Sequence, residues 1–299
     1  MTIRIAQLSD THFLEPDEEP EGGFGYDIAA AFALVEADLA RHDNLDAVVV
    51  TGDIADHGRP EQYRLAIEAF ERLGPPVWCT PGNHDQDVAF RIGLTRSHVS
   101  APRLVHLENW CFAFVDSNAG LMRDDGAGHL VDPEYHDRLW GNGLLGGAEM
   151  AWLRQVCATT DAQHVFVWVH HPPTSGNGAV GPTPEYGAQW RELLRDLPII
   201  RGLGAGHTHV PIVADLAGVP VHVSPALKNN FDLDELVFLP PGWRRFEFEP
   251  DGRVVSTAEL VDDDRFPRSP LPRSVAALLR GELSHDEFAA IVARRAAAG

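Results

Sequence analysis

Over the first 80 residues, three short apolar runs alternate with two segments of helical period, and this alternation constrains the fold more than any other feature. Ile3–Leu8 is apolar and ends in the polar Ser9-Asp10-Thr11-His12. Residues 26–40 place Ile28, Phe32, Val35 and Leu39 at helical spacing, with Asp27 near the start. Residues 47–50 form a continuous, mostly β-branched run, suited to a strand covered on both faces. Residues 61–73 are again helical and stop at Gly74-Pro75-Pro76, and Val77–Thr80 is a third strand. Strands alternating with helices predict an α/β domain with a parallel-rich sheet.

The middle of the chain is looser. Leu104–Leu107 and residues 110–115 read as a strand pair, followed by a glycine-rich stretch over 120–128. Residues 148–158 and 189–197 read as helices, with a buried strand over 164–169 between them. Strands are expected over 199–203, 212–215, 221–223, 243–249 and 253–257. From Asp262 an Asp- and Pro-rich segment marks a boundary between residues 1–261 and a helical extension over 262–299. That extension is read as helices over 273–280 and 285–298, with Ser284 capping the second.

Charge excludes several partners. The chain has 299 residues and a net charge of −20, so nonspecific binding to nucleic-acid backbones or anionic lipid is disfavoured. No apolar run approaches the ~18–20 residues of a membrane span. The N-terminus reads directly into a strand without a leader. Cys79, Cys111 and Cys157 are odd in number and far apart, which fits a reducing compartment and a cytoplasmic protein. Lys228 is the only lysine.

Five polar clusters stand out against this background. They are Asp10-Thr11-His12, Gly52-Asp53, Gly82-Asn83-His84-Asp85, His170-His171-Pro172-Pro173 and Gly206-His207-Thr208-His209. Each has an ordinary reading alone, as a turn, a cap or a kinked strand end. The His207-x-His209 pair is the strongest, because residues i and i+2 of an extended backbone face the same way. Carboxyl ends of parallel strands converge on one sheet edge, so together these clusters predict one metal-binding site. Carboxylate and imidazole donors without thiolate suit Mn, Fe, Zn or Co.

In this order the five blocks resemble the signature of the calcineurin-like metallophosphoesterases, over about residues 3–258. Asp116-Ser117, Trp152-Leu153 and Pro240-Pro241-Gly242-Trp243-Arg244 are similar to the bacterial class III cyclic-nucleotide phosphodiesterase branch, which includes glycerophosphodiesterases. The resemblance implies a four-layer α/β/β/α sandwich of two mixed sheets, with the late strands largely in the second. It implies two divalent or mixed-valence metals. Asp10, His12, Asp53 and His209 would bind one, and Asp53, Asn83, His170 and His207 the other. The family pattern favours His170 over His171 as ligand, leaving His171 either substrate-facing or structural. His84 would contact the phosphoryl group beside Asn83 and protonate the leaving alkoxide, while a water activated between the metals attacks phosphorus. Asp85 either orients a neighbouring histidine or caps a loop.

The implied activity is hydrolysis of a small phosphodiester, a 3′,5′-cyclic nucleotide being the leading case. A broad phosphomonoesterase or a glycerophosphodiesterase is the alternative, with specificity in loops around 13–26 and 174–187. A noncatalytic scaffold is disfavoured because His84 is intact. A nuclease is disfavoured by the acidic charge. His57 and His129 sit in loops that can approach the site, whereas His42, His98, His106, His136, His164, His222 and His285 lie outside the blocks. The apolar face of the extension must cover either the domain or a second subunit of a homodimer.

Overall fold

Ala47, Val48, Val49 and Val50 are all fully buried, as a run without polar alternation requires, and the architecture follows from covering such strands on both faces. The structure, a computed structural model, describes residues 1–16, 18, 26–85, 90, 94, 98–124, 129–131, 142–174, 182–284, 287, 288, 290, 291 and 294. The first part of the chain forms β1 (Ile3–Leu8), α1 (Ile28–Leu39), β2 (Ala47–Thr51), α2 (Pro60–Phe70) and β3 (Val77–Thr80). Then come β4 (Val99–Ser100), β5 (Leu104–Leu107), β6 (Trp110–Phe114), β7 (Met122–Asp124), β8 (His129–Val131) and α3 (Gly146–Thr159). They are followed by β9 (His164–Trp168), α4 (Pro184–Asp196), β10 (Ile200–Ala205), β11 (Val213–Leu216) and β12 (Val219–Val223). The chain continues through β13 (Asn230–Asp232), β14 (Val237–Leu239), β15 (Gly242–Phe248), β16 (Val254–Leu260), β17 (Ser269–Pro270) and α5 (Arg273–Leu279).

Two six-stranded mixed sheets result, in the orders β16-β15-β1-β2-β3-β4 and β11-β12-β10-β9-β6-β5. Strands β1 to β4 pair parallel in sequence, as do β6, β9, β10 and β12 across the second sheet. Period-two side chains then sort into layers. Ile3, Ile5, Ala47 and Val49 meet Trp110, Phe112, Phe114, Phe166 and Trp168 between the sheets, with Phe246 and Phe248 of β15. The intervening Ala6, Leu8, Val48 and Val50 face Phe32, Val35, Tyr63 and Phe70 of α1 and α2. On the far side, Cys111, Ala113, Val165 and Val167 face Leu153, Val156, Trp190 and Leu193 of α3 and α4. These layers make the four-layer α/β/β/α sandwich that the resemblance implies. Each fully buried large apolar chain adds about 1.5–3 kcal/mol.

The structure corrects several expectations. Strands β15 and β16 belong to the first sheet, not the second. The register Ile3↔Phe248 to Gln7↔Arg244 sets β15 antiparallel on β1, where Phe246 and Phe248 complete the inter-sheet layer. Helix α4 begins earlier than residue 189, because Thr183 Oγ1 accepts the Tyr186 N–H at 3.2 Å and Pro184 occupies the first turn. Asp27 does cap α1, accepting the Ala30 N–H at 2.9 Å. Beyond residue 262, β17 pairs with β14, and Val275, Ala276 and Leu279 of α5 pack with Val210, Phe231 and Leu271. That apolar face is covered by the chain's own β13–β14 hairpin. Ser284 Oγ accepts the Glu287 N–H at 3.3 Å, but most of 285–298 lies outside the described residues.

Candidate metal centre

All five polar clusters leave the carboxyl ends of parallel strands. Asp10 and His12 follow β1, Asp53 follows β2, and Asn83 to Asp85 follow β3, all in the first sheet. His170 and His171 follow β9, and His207 and His209 follow β10, in the second. The two sheets thus converge on a single edge. The loops there are unusually bent. Asp10, His12, Asp53, His207 and His209 all have positive φ, between 43° and 70°. Such backbone costs non-glycine residues of order 1–3 kcal/mol each and persists where surrounding bonds dictate it. Those bonds are present: His12 N–H donates to Asp53 O at 2.8 Å, Gly206 N–H to His170 O at 2.9 Å, and His207 N–H to Asp10 Oδ2 at 3.0 Å.

The left-handed turn overturns one geometric expectation. His207 and His209 are not on an extended segment and do not face the same way. His207 joins His170 and His171, whereas His209 joins Asp10 and His12. Close approach between loops also explains two glycines. A Cβ on Gly82 would lie 2.1 Å from Asp53 Oδ1, and one on Gly206 would lie 1.8 Å from Ser9 Oγ.

Asp53 occupies the middle. Its Oδ1 accepts the His84 N–H at 2.9 Å, while Oδ2 lies 3.3 Å from His170 Nε2 and 3.7 Å from His12 Nε2. Asn83 Oδ1 is 3.1 Å from His170 Nε2, and Asp10 Oδ1 is 3.3 Å from His209 Nε2. The outer ring nitrogens are held by acceptors. His170 Nδ1 donates to Thr51 O at 2.7 Å, His209 Nδ1 to Asn229 O at 3.2 Å, and His84 Nδ1 to Asp56 O at 2.6 Å. An Nδ1–H held on a carbonyl puts the lone pair of the neutral ring on Nε2, the tautomer that a metal needs.

Metal-donor chemistry accounts for what hydrogen bonding leaves open. Nε2 of His12, His171 and His207 is buried without a hydrogen-bond partner, although buried polar atoms are almost always satisfied. Donor atoms of Asp10, His12 and His209 fall within 4.8 Å of one another, as do those of Asp10, Asp53 and His170, and of His170, His171 and His207. Oxygen and imidazole donors at this density fit a pair of transition metals. Protonation agrees with that fit. Burial, with the positive charge of Lys228, pushes His12 down to about 3, and burial beside His170 does the same to His207. Burial would lower His170 too, but the Asp53 and Asp10 carboxylates more than offset it and hold the ring near 9. Burial would raise Asp10, yet His209 and His170 hold it below the usual carboxylate range. The Asp10 carboxylate is held ionised and the His12 and His207 rings neutral, as metal ligation demands, whereas His170, drawn up by the carboxylates, would give up its proton to a metal.

The surrounding residues divide by their contacts. Asp85 accepts N–H bonds from Ile54, Ala55 and Gly82 at 3.1, 3.2 and 2.9 Å and the Tyr63 hydroxyl at 2.8 Å, so it ties the Asp53 and Asn83 loops together. Burial near Asp53 pushes its carboxyl up to about 6. His171 Nδ1 lies 2.7 Å from Ser117 Oγ, and its ring is 4.4 Å from that of His207. Residues that sequence reasoning missed are Asp56 and Lys228. Asp56 Oδ1 is 2.7 Å from His12 Nδ1 and 2.5 Å from Lys228 Nζ. His57 Nε2 sits 3.6 Å from Asp56 Oδ2, at the edge of this group. The His129 side chain, residues 19–25 and residues 175–181 lie outside the described residues. His42, His106, His164 and His222 are engaged elsewhere, with Trp243, Thr160, Pro250 and Ser256.

The model of the calcineurin-like phosphoesterase family matches residues 3–211. The chain belongs to the calcineurin-like phosphoesterase family. Members of this family use a dinuclear metal centre, and the chain is a phosphoric ester hydrolase. It is 26% identical over 268 residues to a probable cyclic nucleotide phosphodiesterase of Synechococcus, covering 88% of this chain and 94% of the relative. It is 31% identical over 211 residues to the glycerophosphodiester phosphodiesterase GpdQ of Enterobacter lignolyticus, covering 69% and 70% respectively. A dimetal phosphatase from Danio rerio shares the fold at a TM-score of 0.59 and 14% identity, over 87% of this chain and 99% of that one. Among the described residues, no helix is long and apolar enough to cross a membrane.

Proposed function

We propose that this phosphoesterase is a two-metal phosphodiesterase whose substrates are small phosphodiesters, with a 3′,5′-cyclic nucleotide foremost. The observation that carries the reading is the central Asp53 carboxylate, with Oδ2 facing His170 on one side and His12 on the other. Asp10, His12, Asp53 and His209 would hold one metal, and Asp53, Asn83, His170 and His207 the second, drawn from Mn, Fe, Zn or Co. Bound there, the pair supplies positive charge for the phosphoryl oxygens and acidity for an attacking water.

The chain's own residues do the rest. Asn83 contributes a neutral oxygen, so the centre keeps more positive charge for an anionic ester than a carboxylate would leave. His84 is pinned through its backbone N–H to Asp53 and through Nδ1 to the Asp56 carbonyl, leaving Nε2 to carry a proton to the departing alkoxide. His171, fixed by Ser117 and packed against the His170 and His207 rings, would help to bind the substrate there. Residues 1–261 form the catalytic domain in this reading and 262–299 an extension of it.

Names of relatives support diesters, both cyclic and glyceryl. Measuring kcat/KM side by side on cyclic AMP, glycerophosphocholine, bis(p-nitrophenyl) phosphate and p-nitrophenyl phosphate tests it. At least one diester should exceed the monoester by ~10-fold or more. A faster monoester would favour the phosphomonoesterase alternative.

A further inference from the structure

Lys228 is the one lysine of a chain with 24 basic residues, and it is buried, at 4% exposure. Its Nζ lies 2.5 Å from Asp56 Oδ1, and Asp56 is itself 1% exposed. Asp56 touches two functional rings by different groups. Its carboxylate meets His12 Nδ1 at 2.7 Å, and its backbone carbonyl accepts His84 Nδ1–H at 2.6 Å. The backbone around Lys228 is tied to the same loops. Leu227 N–H donates to Ser9 O at 3.1 Å, Lys228 N–H to Asp10 O at 3.2 Å, and Asn229 O accepts from His209 Nδ1.

Residues 227–229 therefore support Asp10 and His209 by main chain and His12 by way of Asp56. None of these contacts reaches Asn83, His170 or His207. A surface cation does not need this arrangement. Burying an amine and a carboxylate costs several kcal/mol in desolvation per ion, so the pair is a poor device for stability alone. Its geometric consequence is specific: Asp56 is held with Oδ1 2.7 Å from His12 Nδ1, so its charge lies against that edge of the ring while Nε2 approaches Asp53 Oδ2.

We infer that Lys228 is a positioning residue for one metal of the pair, the one assigned to Asp10, His12, Asp53 and His209, acting through Asp56 on His12 and, through the Asp56 carbonyl, on His84. This rests on the two-metal reading above. Partners at this remove from a metal typically alter affinity by 10–100-fold.

The test uses the full chain with Lys228→Met and Lys228→Gln, each checked for folding by circular dichroism. Metal content is read by mass spectrometry after dialysis against graded chelator with Mn²⁺, alongside kcat and KM on bis(p-nitrophenyl) phosphate. The expected result is asymmetric. One metal per chain is released at ~10–100-fold lower chelator than in the wild type, while the second is retained. kcat falls by a similar factor, KM moves less than about threefold, and Lys228→Arg recovers most of the loss. Equal weakening of both metals, or wild-type retention with unchanged kcat in a folded variant, overturns the inference. Loss of folding in both variants also overturns it, assigning Lys228 to stability alone. A wild-type chain that binds no metal contradicts instead the reading on which the inference rests.

Discussion

Replacing Asp53 with Asn will lower kcat/KM on a phosphodiester by ~10³-fold or more, about 4 kcal/mol of transition-state stabilisation. The size follows from position. Among the described residues, Asp53 is the only carboxylate whose oxygens face His170, His12 and the His84 N–H together. Asn preserves shape, but one end becomes an amide donor and the charge is lost between two ligand groups. The Asp53→Asn chain should remain folded by circular dichroism and hold fewer than two metals. Steady-state kinetics with metal analysis checks both halves, and near-normal turnover in a folded variant that keeps two metals would remove Asp53 from the centre.

His84→Ala tests the proton donor rather than the metals. A positioned general acid contributes about 10²–10⁴-fold, and its worth depends on how poor the leaving group is. For a cyclic nucleotide or another alkoxide leaving group, kcat should fall across that range. For bis(p-nitrophenyl) phosphate, whose nitrophenolate departs without protonation, the loss should stay under about tenfold. Metal content should be unchanged, since the His84 backbone N–H that Asp53 Oδ1 accepts is retained in alanine. Equal losses on both substrates would assign His84 to phosphoryl binding instead of proton transfer.

Local chemistry explains why much of this was legible in the sequence. A buried β-branched run such as residues 47–50 has one stable solution, a doubly covered strand, and the five polar clusters each end such a strand. Strand partners are another matter. Nothing near Phe246 or Phe248 states that they pair with Ile5 and Ile3 some 240 residues earlier, so β15 and β16 were assigned to the wrong sheet. The β13–β14 hairpin was missed because Asn230–Asp232 and Val237–Leu239 are only three residues each, and their apolar face is completed by α5. The His207-x-His209 spacing suits extended backbone, and only the tertiary bonds to Asp10 and His170 impose the left-handed turn. Asp56 and Lys228 are 172 residues apart. Their sequence signals were weak: an acid three places after Asp53, and a solitary lysine in an Arg-rich chain.

The proposed pair of metals, joined through Asp53, makes phosphodiester hydrolysis strictly metal-dependent. The direct measurement is turnover of a phosphodiester by chelator-treated, metal-free chain as Mn²⁺ is added back. The expected result is a negligible rate without metal and a plateau reached at about two equivalents per chain. Full turnover in the metal-free chain, or a plateau at one equivalent, would contradict it.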